Sequence, residues 1–145
     1  PKAGYKSRIE VMTPLIPGLI GKKMSASDPK SKIDLLDDEK AVQEKIRGAY
    51  CEEGKLEDNG VLAFMKLVIM PLKEDAKESF VVERPAKFGG NIEFKTYQEL
   101  EDIFLQKKIH PLDLKNALAK EINALLIPFR KNKAKLEKIA QEAYV

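Results

Sequence analysis

The sequence has one cysteine and one histidine in 145 residues. These two scarcities exclude many common site chemistries. Cys51 has no partner for an internal disulfide, which fits a reducing, intracellular compartment. One histidine and one cysteine cannot complete a conventional zinc set. There is no Ser-His-Asp arrangement and no GxSxG elbow, and the GxxxxGK[ST] spacing of a Walker loop is missing. No run of about 18 apolar residues is present, so no membrane-spanning helix is indicated. The opening stretch PKAGYKSRIE lacks the apolar segment of a secretory signal. The chain starts at Pro1 rather than Met and reads as a piece cut from something longer. No internal repeat and no low-complexity segment occurs.

What is present suits one soluble domain with a real core: 43% of residues are hydrophobic and 34% charged. Charge is unevenly placed. Residues 1–33 carry seven Lys/Arg against two Asp/Glu, residues 34–102 ten against seventeen, and residues 103–145 nine against four. Two basic ends around an acidic middle are compatible with an anion-facing surface, for nucleotide or RNA, and equally with a solvated Lys/Glu exterior.

Residues 1–32 read as loop, because TPLIPG breaks any helix and each residue before a proline is pushed toward extended geometry. SKIDLLD, 31–37, reads as a short extended piece. Asp37 and Asp38 offer N-caps for a helix over DEKAVQEKIRGAY, with Val42, Ile46 and Ala49 or Tyr50 as its apolar stripe. NGVLAFMKLVIMPL is nearly continuous apolar and predicts a buried helix ended by Pro71. FVVER and NIEFK, joined by PAKFGG, predict a β-hairpin. Thr96 with Glu99 predicts a capping box for the next helix. The strongest helix lies over HPLDLKNALAKEINALLIPFRKN. Pro111 is in its first turn, Leu114, Leu118, Ile122, Leu125 and Phe129 mark one face, and Pro128 kinks or ends it. KAKLEKIAQEAY closes the chain as a short helix. The expected fold is mainly α with one small hairpin, after an extended loop segment.

Three stretches carry candidate chemistry. The first is GKKMSASDP. Gly21 allows close backbone approach, Lys22 and Lys23 are point charges suited to phosphate, and Ser25 and Ser27 add hydroxyls. Met24 is placed to pin the loop by packing inward. Such a loop suits an arm that folds over polyphosphate, or is simply solvated. The second is HPLDLK. His110 is placed near an N-cap and Asp113 at the third helical position, where a carboxylate complements the dipole. The same pair is also an aromatic ring for stacking beside a carboxylate that accepts hydrogen bonds from a base. The third is KFGG, which puts Phe88 on a hairpin tip with two glycines leaving room beside the ring.

KMSAS, Lys23 to Ser27, resembles the KMSKS signature of class I aminoacyl-tRNA synthetases. Its surroundings sharpen the likeness. MTPLIPGLIGKKMSASDPKSKIDLLD, NGVLAF, RPAKFGG and HPLDLKNALAKEINALLIPFRK occur in the order seen in tyrosyl-tRNA synthetases of the eukaryotic and archaeal type, and the resemblance covers essentially the whole chain. KMSAS followed by Asp-Pro also looks like the eukaryotic tryptophanyl enzyme. KFGG and HPxDLK point to the tyrosyl one.

The resemblance implies that residues 1–36 end a catalytic domain and that 37–145 form a helical anticodon-binding domain. It implies that the loop Lys23, Met24, Ser25, Ala26 and Ser27 is catalytic, closing over ATP with magnesium as substrate, and that Lys22, Lys23 and Ser25 bind that ATP. Ala26 departs from the signature, which has its second lysine there, and leaves Lys22 or a bound cation to substitute. Phe88 and His110 match aromatic positions that sandwich the first anticodon base. Asp113 matches the carboxylate that bonds that base, a guanine, and Cys51 matches a position near the remaining anticodon bases. The implied partner is tyrosine tRNA in the cytoplasm. The implied assembly is a homodimer for the full-length enzyme, with a monomer plausible for this chain. The HIGH-like signature and the tyrosine pocket are not found, so the chain alone is expected to be catalytically incomplete. A tryptophanyl-type fragment and a non-catalytic helical interaction module are the alternatives.

Overall fold

The computed structural model describes residues 12, 14, 16–20, 24 and 28–143. Most of the described chain is helical. Helix α1 spans Glu39–Gly48 and is capped by Asp38, whose carboxylate accepts from the Ala41 N–H at 2.7 Å. Asp37, the other candidate cap, instead accepts from the Asp34 N–H at 2.9 Å and pairs with Lys45 at 2.6 Å. That local turn is why 31–37 forms bends rather than a strand. Val42, Ile46 and Ala49 are buried, as their spacing predicts.

Helix α2, Gly60–Phe64, starts at Asn59, whose side chain accepts from the Leu62 N–H at 3.1 Å. It runs through a π-helical turn, Met65–Ile69, into α3, Met70–Ala76. Pro71 therefore does not end this helix. A widened turn just before a proline relieves the clash between its ring and the carbonyl four residues back. Here the Met70 N–H reaches back five residues to the Met65 carbonyl. The stop falls at Lys77, in the left-handed region at φ 57°, with the Glu78 N–H closing on the Lys73 carbonyl at 2.9 Å.

The hairpin follows: β1, Phe80–Val82, pairs antiparallel with β2, Ile92–Phe94. Phe80 faces Phe94 across it, ring centroids 6.4 Å apart. The expected capping box is present. Thr96 Oγ1 accepts from the Glu99 N–H, and the Glu99 carboxylate accepts from the Thr96 N–H, at the start of α4, Tyr97–Leu105.

Helix α5, Pro111–Lys131, is the longest. Leu114, Leu118, Ile122 and Leu126 are buried on it, while Leu125 is 39% exposed. The buried row steps by four from Leu114, which turns Leu125 outward and brings Leu126 in. Pro128 sits inside the helix, which continues to Lys131 before Asn132 ends it and α6, Lys133–Ala143, begins. Only the last turn follows the proline, so a single backbone bond is forfeited near an end that is open anyway.

Helix α1 lies antiparallel along α5 and is tied to it at both ends. Lys115 Nζ donates to the Arg47 carbonyl at 3.0 Å. At the other end Arg130 Nε donates to the Asp37 carbonyl at 2.7 Å. Ahead of α1, Leu19 is fully buried in the same core. Its N–H donates to the Ser31 carbonyl at 3.0 Å and its carbonyl accepts from the Tyr50 N–H at 2.7 Å. A side chain on Gly60 would come within 2.6 Å of the Gly18 carbonyl oxygen and 3.1 Å of Leu19 Cα. Gly60→Ala is thus expected to lower stability by roughly 1–3 kcal/mol through overpacking, against at most about 1 kcal/mol recovered in helix propensity. Urea unfolding decides it: an unchanged or raised midpoint would show that the Leu19 segment is not held against α2.

Candidate functional site

The turn between α4 and α5 and the tip of the hairpin create the site. Lys107, at φ 58°, and Lys108 reverse the chain after α4, their N–H groups returning to the Phe104 and Ile103 carbonyls at 2.9 and 3.1 Å. Buried Ile109 then plugs the core. His110 is the N-cap of α5, its Nδ1 accepting from the Leu112 N–H at 3.1 Å. The ring proton is thereby assigned to Nε2, which points away from the helix start. Pro111 has no N–H to satisfy. The Asp113 and Leu114 N–H groups both close on the His110 carbonyl, at 3.0 and 3.3 Å. Asp113 sits in the first turn, where its charge complements the dipole. Its carboxylate has no hydrogen bond or ion pair with any described residue.

On the facing side, Pro85 precedes a short 3-10 turn, Ala86–Phe88, closed by Gly89 at φ 95° and Gly90 at φ 73°. Phe88 is left 60% exposed, with the Lys87 ammonium 4.9 Å from its ring centre. One side chain joins the two halves. Arg84 donates from Nε to the Gly90 carbonyl at 3.1 Å and from Nη1 to the Lys108 carbonyl at 2.8 Å.

Phe88, His110 and Asp113 therefore line one open groove of about 460 Å³, together with Arg84, Lys107 and Glu53. Two exposed aromatic rings give stacking faces, the carboxylate accepts hydrogen bonds in a base plane, and the cations suit phosphate. The sequence assigned no role to Arg84. Its only signal was an arginine directly before the proline of a Gly-Gly connector, where exposed carbonyls need donors.

Cys51 does not line this groove. It is half-buried against the core, its sulfur accepting from Asn59 Nδ2 at 3.6 Å. Burial pushes the thiol pKa up, only partly offset by the Asn59 donor and the Lys115 charge. Of the loop residues, Met24 is described and half-buried, which agrees with packing inward. Lys22, Lys23, Ser25, Ala26 and Ser27 lie outside the described residues. Among the described residues no His, Cys, Asp and Glu cluster could hold a metal.

Comparison with known proteins decides the family. The model of class I tRNA synthetases of the W and Y type matches residues 1–127. The chain belongs to this class I tRNA synthetase family. It is 45% identical over 146 residues to the cytoplasmic tyrosine–tRNA ligase of Gallus gallus, covering 99% of this chain and 27% of that protein. It is 48% identical over 130 residues to the tyrosine–tRNA ligase of Natronomonas pharaonis, covering 90% and 38%. The crystal structure of the Archaeoglobus fulgidus tyrosyl-tRNA synthetase complexed with L-tyrosine superposes with a TM-score of 0.80 at 43% identity, covering 90% of this chain and 40% of that one. The chain thus spans only part of the length of these synthetases.

Two outcomes test the placement of Arg84 and Cys51. Arg84→Ala should leave the core intact and free the tip: amide exchange at Gly90 should accelerate while the thermal midpoint moves little, and unchanged exchange would deny Arg84 its tethering role. Cys51 should alkylate with a pH midpoint above that of a free thiol, since its native pKa is raised. Because the unfolded chain sheds that proton first, the group's contribution to stability is intact below the ordinary thiol range and is lost as pH rises past it. A midpoint at or below the free-thiol value would overturn this.

Proposed function

We propose that the chain is the anticodon-reading part of a tyrosine–tRNA ligase, carrying at its start the end of the catalytic domain. The observation that supports this best is the groove itself. Phe88, from a hairpin tip, and His110 and Asp113, from a helix start, line one groove with two aromatic rings and a carboxylate that has no partner among the described residues. A purine inserted between the rings would present its edge to Asp113. Guanine offers an N–H and an amino group there, both donors, which a carboxylate accepts and which no other standard base offers together. Arg84, Lys107 and Lys108 would then meet the flanking phosphates.

On this reading residues 1–36 belong to the catalytic domain and 37–145 to the anticodon-binding domain. The loop at Lys22, Lys23, Ser25 and Ser27 would steady the phosphates of ATP, bound with magnesium, while tyrosine's carboxylate attacks the α-phosphorus. Charge at phosphorus is well met by positioned cations and hydroxyl donors. Tyrosine itself would be held by residues outside this sequence, so the chain alone is expected not to activate it. The named relatives are tyrosine enzymes, and the KFGG and HPLDLK stretches of this chain supply Phe88, His110 and Asp113 to the groove. Their names favour tyrosine over tryptophan tRNA as the partner, and the cytoplasmic name of the Gallus gallus ligase supports a cytoplasmic setting.

The test compares two anticodon stem-loops, GUA and CUA. The parent chain should prefer GUA. Asp113→Ala should lose about 1–3 kcal/mol on GUA and little on CUA, the usual size of a base-specific contact. Equal losses on both would mean that Asp113 does not read the base.

A further inference from the structure

Arg84 lines the groove of Phe88 and His110, is half-buried, and commits its side chain to both walls. Nε donates to the Gly90 carbonyl at 3.1 Å and Nη1 to the Lys108 carbonyl at 2.8 Å. Each acceptor stands two positions from a ring: Gly90 follows Phe88, and Lys108 precedes His110. Among the described residues no other hydrogen bond joins the tip, residues 84–91, to the turn and helix start, residues 106–113. The Arg84 backbone is fixed as well, its N–H donating to Asn91 Oδ1 at 3.0 Å. Gly89 leaves the guanidinium its space: a Cβ there would stand 3.3 Å from Arg84 Nη2.

Each wall closes on itself. In the tip the Phe88 and Gly90 N–H groups return to the Pro85 carbonyl at 2.9 and 3.3 Å, and in the turn the Lys108 N–H returns to the Ile103 carbonyl at 3.1 Å. Packing of β1 on α5 places the hairpin as a whole, and Arg84 is the bonded bridge across the gap between the two rings. A guanidinium suits that task. It is planar with donors in fixed directions, so bonds from two of its nitrogens to two carbonyls fix distance and orientation together. A lysine ammonium carries the same charge, but its single nitrogen on a flexible stem cannot reproduce two donors at separate atoms. Base selection is sensitive to such a gap, because stacking sets the base plane and the plane decides whether its edge meets the Asp113 carboxylate. Phosphate attraction is far less so, since it decays over a Debye length of about 8–10 Å.

We propose that Arg84 is a positioning residue for first-base selection: by bonding one wall to the other it fixes the gap in which the base stacks, and so sets whether that base reaches Asp113. The proposal rests on the anticodon reading of this groove. It gives Arg84 a role that its charge alone would not fill. A guanidinium that only met a flanking phosphate would keep its donors free, whereas two of its three nitrogens are spent on the protein's own carbonyls.

The probes are the GUA and CUA stem-loops, titrated against the full chain at several salt concentrations. The parent should prefer GUA by roughly 5- to 150-fold, the range of one base-specific contact. Arg84→Lys should bring that ratio close to one by weakening GUA alone. Affinity for CUA and the slope of log affinity on log salt should stay at the parent's values, because the charge is kept. A melting curve checks the fold, and Arg84→Ala, which should lose the same preference, takes over if the lysine variant melts early. With Asp113→Ala already in place, Arg84→Lys should cost GUA binding nothing further, since it acts through that carboxylate. A lysine variant that keeps the parent's ratio, or that weakens both stem-loops by the same factor, would overturn the positioning role and leave the base reading standing. Additive losses in the double variant would do the same. A parent that binds both stem-loops alike, or neither, would sink the base reading itself, and the positioning role with it.

Discussion

The arrangement depends on one constraint: α5 must bury its stripe from Leu114 to Leu126 along about 20 Å of helix. Helix α1, the π-helical turn and β1 all pack against it. Because α1 runs antiparallel and is tied by Lys115 at one end and Arg130 at the other, it cannot slide along α5 without breaking bonds to carbonyls. The start of α5 is thereby fixed in space, and a helix start is where His110 and Asp113 sit. A recognition group on a packed helix holds its geometry better than one on a free loop.

Capping and the proposed base recognition would use different parts of the same residues. The bond from the Leu112 N–H goes to the Nδ1 lone pair of His110, which lies in the ring plane, so capping does not itself need a face of the ring. It orients the ring at the cost of one nitrogen that stacking does not need. Asp113 uses its backbone N–H to close the first turn and its carboxylate charge to favour the dipole, while the carboxylate oxygens keep their lone pairs. The capping role and the proposed functional role of HPLDLK are therefore compatible, and the first would pre-arrange the second. Phe88 is held differently. Gly89 and Gly90 give the tip its left-handed backbone, which costs entropy, and Arg84 restores order by bonding the Gly90 and Lys108 carbonyls.

Much of this was legible in the sequence because it rests on local rules. The Thr96–Glu99 box, the hairpin, the proline after His110 and the stripe of α1 each need only a few neighbouring residues. The juxtaposition of Phe88 with His110 came from family resemblance rather than spacing, since nothing local links a hairpin tip to a helix start. The misses are non-local. Pro71 is expected to end a helix, yet a widened turn accommodates it, with Met65, Ile69 and Met70 buried just ahead of the proline. Leu125 was placed on the buried face because the sequence cannot fix where a stripe drifts over four turns. Arg84 was passed over because its acceptors, Gly90 and Lys108, lie on separate elements.

The segment ahead of α1 follows from the same economy of fixed points. Leu19 is fully buried, and its N–H and carbonyl are spent on Ser31 and Tyr50. Leu19 and Ser31 are therefore joined to each other by a backbone bond beside one buried side chain. Tyr50 belongs to the connector that also bears Cys51, Glu53 and Gly54, and Gly54 lies against the Lys107 side chain at the rim of the base-sized groove. Asn59 locks that connector, donating to the Lys55 carbonyl and the Cys51 sulfur while capping α2. A single short connector thus bonds to Leu19 at one point and borders the groove at another. Asn59 is 2% exposed, so losing any of its three bonds would leave a buried amide group unsatisfied.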